Sequence, residues 1–248
     1  MKLSRLTNET AVAKAAAGWI AQTVTERPDA NIVLPAGKTP VLMIKDLVRS
    51  TMRGELNLSR ARFYQLDEYA GVEPADPRSF HSFIRRHLLE RLDPDVAANA
   101  RLLCGDETDL PRHIEAHARR LAAEGGAHLA ILGLGLNGHV GFNEPGSERT
   151  ARARVVELHA STLETAASDF DPAELPSRGI TMGLAEILAA QRIIVLVTGG
   201  GKAQVLRDLF ERPASSDLPA SWLRDHPQCF VLADRAACSL LKSLAAAE

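Results

Sequence analysis

The chain has 248 residues, 46% of them hydrophobic, with 29 Lys and Arg against 31 Asp and Glu for a formal charge of -2. This composition is typical of a globular protein and excludes collagen-like, coiled-coil and disordered classes. The near balance of charge disfavours a broad nucleic-acid-binding face, although it leaves room for a local anion pocket. We therefore expect no nucleic-acid partner.

The sequence also argues against a membrane or secreted protein. No apolar run reaches the roughly 18 residues that a membrane-spanning helix needs. Asn8, Glu9 and Lys14 stand where a secretory signal requires an apolar core. The three cysteines lack the spacing of a metal site or a redox motif. We expect reduced thiols, a cytoplasmic location, and neither a metal nor a membrane partner.

Helical and strand patterns alternate along the chain. In chain order, the predicted elements are a helix over 9–25, a strand over 30–35, a helix over 39–50, a strand over 61–69, helices over 79–92 and 110–125, strands over 127–135 and 192–201, a helix over 201–211, a strand over 228–234 and a helix over 235–246. Thr39 and Pro40 are typical of the N-cap and first position of the second helix.

This alternation predicts a doubly wound, three-layer α/β/α fold around a mostly parallel, Rossmann-like sheet. We expect one domain over 1–248. Residues 142–180 are polar and without a clear strand, which predicts an insertion that includes a lid around 145–180. Ligands bind beyond the carboxyl ends of the strands in such sheets, so the loops after the strands are the candidate sites.

The loops after the first two strands offer an anion site and a pair of carboxylates. Gly37, Lys38 and Thr39 precede a helix whose free N–H groups suit a phosphate. A plain strand–helix turn also explains these residues, and on these residues alone it is the favoured interpretation. Asp67 and Glu68 are adjacent at a strand end, where burial would make a carboxylate a better base. A solvated turn explains that pair equally well.

The loop after the third strand carries the strongest functional signal. Residues 133–146 contain five glycines together with His139 and Glu144. Such glycine density costs backbone entropy and indicates a special backbone conformation or a bound ligand. The imidazole can transfer protons near neutral pH, and the carboxylate lies close enough in sequence to orient it. A further glycine-rich loop ends at Lys202, a second candidate anion site at a helix start.

These segments resemble a known family. LDEY (66–69), GHVGFNEPGS (138–147), RGITMGLAEIL (178–188) and VTGGGK (197–202) are similar to the glucosamine-6-phosphate deaminase/isomerase family. The likeness extends to the galactosamine-6-phosphate isomerases. The 6-phosphogluconolactonases share the fold and the GH core but lack the FNEPG continuation.

The resemblance implies an enzyme without a cofactor that converts glucosamine 6-phosphate and water to fructose 6-phosphate and ammonia. It implies that Asp67 moves a proton between C2 and C1, that His139 assists ring opening, and that Glu144 pairs with His139. Asn137 completes the expected catalytic set. The expected substrate-binding residues are Gly37, Lys38, Thr39, Glu68, Gly138, Arg178 and Lys202.

Two departures from the family pattern leave alternatives open. Asn137 stands where many members have Asp, and the lid lacks the family's phosphate-binding Arg, for which Arg178 is a candidate substitute. A galactosamine-6-phosphate deaminase, a 6-phosphogluconolactonase and a non-catalytic sugar-phosphate sensor are the alternatives. The chain also lacks the tail of hexameric members, so we expect a monomer or small homo-oligomer.

Overall fold

The computed structural model describes residues 1–241. Its strands are β1 Lys2–Leu6, β2 Asn31–Leu34, β3 Arg62–Gln65, β4 Asp67–Tyr69, β5 Ala100–Arg101, β6 Leu129–Gly133, β7 Arg154–Glu157, β8 Arg178–Thr181, β9 Ile193–Val197 and β10 Cys229–Asp234. Its α-helices are α1 Glu9–Glu26, α2 Val41–Met52, α3 Phe80–His87, α4 Pro94–Ala98, α5 Leu110–Ala123, α6 Ala160–Ala166, α7 Leu184–Leu188 and α8 Ala203–Glu211. Short 3₁₀ segments lie at Leu89–Arg91, Gly200–Lys202, Pro219–Asp225 and Ala237–Leu240.

Seven strands form a parallel central sheet in the order β1-β10-β9-β6-β2-β3-β5. The chain runs outward from β2 to β3 and β5, then returns to place β6 on the other side of β2. This reversal between β2 and β6 opens a crevice at the carboxyl ends of the two strands, where ligands bind in doubly wound sheets. The remaining strands form a small antiparallel sheet in the order β4-β8-β7.

The sheet is buried on both faces, which explains why its central strands are continuously apolar. Successive residues of β2 point to opposite sides: Ile32 and Leu34 pack with α1 and α2, whereas Val33 packs with α7 and α8. Because each face carries its own helical layer and apolar cluster, the predicted three-layer α/β/α fold is confirmed. Within residues 1–241, no helix is both long and apolar enough to cross a membrane.

The predicted strands need correction at several places. The strand predicted over 61–69 divides at Leu66, so that β3 stays in the main sheet while β4 pairs with β8. The polar segment 142–180 contains β7 and β8, which were not predicted because each is only four residues long and its apolar pattern is short. The edge strand β1 was also not predicted; its polar sequence pairs with β10 on one side only.

The predicted helix boundaries also need correction. Helix α2 begins at Val41, and Pro40 occupies its N-cap position. Thr39 makes no capping hydrogen bond, so the predicted Thr39 cap is wrong. The helix predicted over 79–92 ends at His87 and continues as a 3₁₀ turn. The helix predicted over 235–246 is a 3₁₀ turn at Ala237–Leu240, and its part over 242–246 lies outside the described residues.

Candidate active site

A cavity of about 420 Å³ lies at the crevice between β2 and β6. The loop after β2, the start of β4, the loop after β6, helix α6 and the turn before α8 form its walls. Of the predicted site residues, seven line it: Gly37, Lys38, Thr39, Asp67, Asn137, His139 and Lys202. Residues that are up to 165 positions apart in the sequence therefore meet here because parallel strands end at one sheet edge.

Asp67 is the buried acid of this cavity. It is the first residue of β4, directly after the break at Leu66, and is only 6% exposed. No protein group in residues 1–241 donates a hydrogen bond to its carboxylate. Burial, with the charges of Glu68 and Glu144, raises the pKa of Asp67 to about 8. Its ionised form is consequently a much stronger base than an ordinary aspartate.

Glu68 is adjacent to Asp67 but points to the other side of β4, as neighbouring strand residues do. Its carboxylate accepts hydrogen bonds from the backbone N–H groups of Tyr69 at 2.9 Å, Phe80 at 3.0 Å and His81 at 2.7 Å. Burial raises the pKa of Glu68 to about 7 even though these bonds favour its ionised form. The structure places Glu68 outside the cavity, where it holds the start of α3 rather than a site for substrate.

His139, Glu144 and Asn137 form one hydrogen-bonded group on the wall after β6. The His139 Nδ1 atom lies 3.0 Å from Oε2 of Glu144, and Asn137 Nδ2 donates to the same oxygen at 2.8 Å. Asn137 Oδ1 accepts from the backbone N–H of His139 at 3.1 Å. The Asn137 side chain thus links the histidine backbone to the carboxylate that contacts the imidazole.

Glu144 is held in its ionised form. Burial acts to raise its pKa, but the hydrogen bond and charge of His139, with hydrogen bonds from Thr162 and Asn137, lower the pKa to about 2. The turn that presents Glu144 is itself fixed, because Asn143 donates to the carbonyls of Val140 and Met182 at 2.9 Å. An ionised carboxylate in a fixed position can orient and stabilise the facing imidazole.

Two glycines give this loop its shape. A Cβ on Gly135 would lie 2.2 Å from Cδ2 of His139, so the imidazole packs directly against bare backbone. Gly138 has a φ of +84°, which favours glycine, and its carbonyl accepts from Ala220 at 2.8 Å. Gly138 is buried and does not line the cavity, so it contributes to the turn that presents His139.

Two lysines supply positive charge to the cavity wall. Lys38 is exposed, and its Nζ atom lies 3.5 Å from Oγ of Ser168. Lys202 is partly buried, and burial lowers the pKa of its ammonium group. Neither forms an ion pair with a carboxylate among residues 1–241. Gly37, with a φ of +102°, and Thr39 lie beside Lys38 at the start of α2, where helix N–H groups attract anions.

Arg178 is not brought into the cavity. It is exposed at the start of β8, where its backbone pairs with Glu157. The structure therefore does not place it as a substitute for a phosphate-binding lid arginine. Lys38 lines the cavity, and its Nζ atom contacts Ser168 of the 160–170 segment.

Sequence reasoning missed Thr162 and the aromatic floor of the cavity. Thr162, on α6, donates a hydrogen bond to Oε1 of Glu144 at 2.6 Å. Tyr69 packs against Phe80 and Phe142, with ring centroids 4.7 Å and 5.2 Å away. Thr162 lies in a polar stretch with no motif, so nothing local distinguishes it. Tyr69 and Phe142 are part of the LDEY and GHVGFNEPGS motifs, which was a signal, whereas Phe80 belongs to neither motif.

The site contains no evident metal centre. Within the part of the chain that the structure describes, no group of three or more His, Cys, Asp and Glu side chains is arranged to hold a metal ion. The polar groups of the cavity instead offer a basic carboxylate, an oriented imidazole and two ammonium groups. Such a set can move protons on a small anionic molecule.

Comparison with known sequences and structures agrees with this arrangement. Residues 6–231 match the family model described as glucosamine-6-phosphate isomerases/6-phosphogluconolactonase. The chain is 38% identical over 226 residues to a glucosamine-6-phosphate deaminase of Rhodopirellula baltica, covering 91% of this chain and 90% of that protein. It is 36% identical over 235 residues to glucosamine-6-phosphate deaminase 2 of Bacillus subtilis, covering 93% of each.

Solved structures place the fold in the same group. A monomeric glucosamine-6-phosphate deaminase superposes with a TM-score of 0.92 at 33% identity, covering 97% of this chain and all of that one. A 6-phosphogluconolactonase from Leishmania guyanensis superposes with a TM-score of 0.76 at 18% identity, covering 98% and 99%, which shows a shared fold alone. The resemblance inferred from the motifs is confirmed: the chain belongs to the family of glucosamine-6-phosphate isomerases and 6-phosphogluconolactonases.

Proposed function

We propose that this protein converts glucosamine 6-phosphate and water to fructose 6-phosphate and ammonia. The observation that carries the proposal is Asp67, a buried carboxylate with a pKa of about 8 that faces the same cavity as the His139–Glu144 pair. The relatives that share this chain's sequence over nine-tenths of its length are glucosamine-6-phosphate deaminases. The lactonases share the fold at much lower identity.

In this reaction Asp67 acts as the base on the open-chain sugar. Its carboxylate takes the proton from C2 and returns it to C1, while the aldehyde oxygen O1 gains a proton and the C2 amine loses one, so that C1 becomes an alcohol and the amine becomes an imine. Water then adds to C2 and ammonia leaves, so that a ketone remains. A carboxylate with a raised pKa suits both halves of this transfer, because it accepts the proton readily and still gives it back.

His139 prepares the substrate by opening its ring. Because Nδ1 faces Glu144, the Nε2 atom is left to exchange protons with the ring oxygen and O1 of the sugar. The negative charge of Glu144 stabilises the imidazolium that forms when His139 holds a proton. The pair therefore supplies a proton shuttle on the wall after β6, while Asp67 acts from the start of β4.

The phosphate is held by charge and by backbone donors. Lys38 and Lys202 bring two ammonium groups to the cavity, neither with a carboxylate partner in residues 1–241. The start of α2 beside Gly37 and Thr39 adds helix N–H groups to the same region. Together these groups match a phosphate dianion, which explains how a chain with a net charge of -2 binds an anionic substrate.

Direct assay tests the activity. The protein is incubated with glucosamine 6-phosphate, galactosamine 6-phosphate or 6-phosphogluconolactone, and ammonia, ketose phosphate and acid are measured. We expect ammonia and fructose 6-phosphate from the first substrate in equal amounts. Turnover of the galacto epimer alone would reassign the substrate, and lactone hydrolysis alone would replace the proposal. Thermal stabilisation by the amino sugar phosphates without product would indicate a sensor.

The lid, the assembly and the location follow as part of this proposal. Helix α6 forms one wall of the cavity, which supports a lid over 145–180, and slower hydrogen exchange there on binding substrate would test it.

The similar monomeric deaminase supports a monomer or small homo-oligomer, which light scattering would measure. The free thiols of Cys104, Cys229 and Cys238 support a cytoplasmic location, which fractionation of cells would test.

A further inference from the structure

Thr162 connects helix α6 to the wall of the cavity that follows β6. Its side chain is 7% exposed, and its Oγ1 atom lies 2.6 Å from Oε1 of Glu144 and 3.3 Å from Nδ1 of His139. The other oxygen of Glu144 contacts His139 and Asn137. Both carboxylate oxygens are therefore occupied, and the hydroxyl of Thr162 lies between the carboxylate and the imidazole.

The direction of each proton in this group follows from the charge of Glu144. The pKa of Glu144 is about 2, so the carboxylate is ionised and can only accept hydrogen bonds. The hydroxyl proton of Thr162 must then point to Oε1, and a lone pair of Oγ1 is left to face Nδ1 of His139. Both atoms opposite Nδ1 are acceptors, which requires that Nδ1 carries the ring proton.

We infer that Thr162 is a positioning residue: by donating to Glu144 and accepting from His139 Nδ1–H, it holds the imidazole with the lone pair of Nε2 directed to the cavity. This inference deepens the proposed function, since Nε2 is the atom that would exchange protons with the sugar. Ser161 and Ala166 of the same helix line the cavity. The placement of α6 and the protonation of His139 are thereby linked.

Loss of the hydroxyl tests the inference without changing the shape of the side chain. Thr162→Val removes both hydrogen bonds, Thr162→Ser retains them, and Thr51→Val is the matched control. Thr51 also lies in a helix and bonds its own helix carbonyl at 2.9 Å, outside the cavity. For each variant, ¹⁵N NMR of the His139 ring in the unliganded protein reports which nitrogen carries the proton, and thermal melting checks the fold.

In the wild type, in Thr162→Ser and in Thr51→Val, we expect the proton on Nδ1. In Thr162→Val, Nδ1 loses one of its two acceptors and Glu144 loses the donor to Oε1 that helps to hold it, so the ¹⁵N signals shift toward those of exchanging tautomers. We expect kcat to fall about tenfold while KM changes less than about twofold, because the loss concerns proton transfer and not binding. Unchanged ¹⁵N signals in Thr162→Val would overturn the inference, whatever happens to kcat. So would a serine variant as impaired as the valine variant.

The NMR measurement separates this inference from the proposed function. If the wild type releases no ammonia from any amino sugar phosphate while Thr162→Val alters the His139 tautomer as expected, the proposed function fails and the positioning role stands. If ammonia is released and the tautomer is unaffected by Thr162→Val, the positioning role fails and the activity stands.

Discussion

Two buried carboxylates belong to the site: Asp67 lines the cavity, whereas Glu144 lies outside its lining and contacts the cavity-lining His139, and the two differ in their surroundings. On the wall formed by β4, Asp67 is buried without a donor to its side chain, and its pKa is about 8. On the wall after β6, Glu144 is also buried but receives hydrogen bonds from Asn137 and Thr162 and contacts His139, and its pKa is about 2. Burial without donors favours the neutral form of Asp67, whereas the hydrogen-bonding partners of Glu144 outweigh its burial and favour the ionised form.

This difference assigns two different roles to the same functional group. A carboxylate that burial keeps basic can take and return a proton, whereas one that its neighbours keep ionised serves as a fixed charge. Glu68 shows an intermediate case, since it is fully buried and accepts several backbone hydrogen bonds, and its pKa is about 7. Its hydrogen bonds hold α3, so it contributes to the position and charge environment of Asp67.

The largest effect is expected from removing the base. Asp67→Asn should lower kcat by about 10⁴-fold with a small change in KM, because it removes a proton transfer made only in the transition state. Ammonia release measures this loss. Asp46→Asn, which removes a carboxylate on α2 outside the cavity, is the control and should retain activity. A folded Asp67→Asn variant with near-normal turnover would exclude Asp67 as the base.

A smaller loss is expected on the opposite wall. Glu144→Gln removes the fixed charge but leaves the imidazole and the base, so kcat should fall about 100-fold. The same change should lower stability at pH 7. The folded-state pKa of Glu144 lies below its ordinary value of 4.5, so its stabilisation is present above that pH and is lost as the pH falls toward about 2.

Urea unfolding of Glu144→Gln and wild type at pH 7 and at lower pH measures this stabilisation. The two curves should converge as the pH approaches 2. Equal stability of the two proteins at pH 7 would contradict the assignment of Glu144 as a carboxylate stabilised by its partners.

The pH dependence of catalysis should follow the basic wall. Because Asp67 must be ionised to act, kcat/KM should rise about tenfold per pH unit below its pKa and level off above about 8. Direct ¹³C NMR titration of the Asp67 carboxyl separates this group from the ionising groups of the substrate. A carboxyl that titrates near pH 4 would remove the basis for the contrast between the two walls.

A further effect concerns stability at high pH. The folded-state pKa of Asp67 lies above its ordinary value of 3.8, so the stability it contributes is fully present below pH 3.8 and is lost as the pH rises to about 8. Asp67→Asn should therefore gain stability relative to wild type as the pH rises, so that the difference between the two proteins is larger at pH 9 than at pH 5. Urea unfolding at both values measures the change. An equal difference at pH 5 and pH 9 would rule out this linkage.

The sequence predicted the long elements of the fold better than the short ones. Long periodic helices such as α1 and α5, and the buried strands β2, β6 and β9, were predicted because their apolar patterns are strong. The short strands β7 and β8 were missed, since four residues give too little pattern to distinguish a strand from a loop.

Of the predicted site residues, those in strand-end loops line the cavity, whereas Arg178 does not. Asp67, His139 and Lys202 follow strands or lie in strand-end loops, and all line the cavity. Arg178 was a candidate for its charge alone, and the structure places it on the surface. Thr162 was missed because it reaches the site from a helix inserted between β7 and β8.

The sequence by itself determined the alternation of strands and helices, the glycine-rich loop around His139 and the family resemblance, because these are local patterns. Only the tertiary structure decided that Asp67 and Glu68 point to opposite sides of β4, and that Asn137 and Thr162 both donate hydrogen bonds to Glu144. It also decided the protonation of the carboxylates. Their pKa values depend on burial and on hydrogen-bond donors from distant segments, which no local pattern contains.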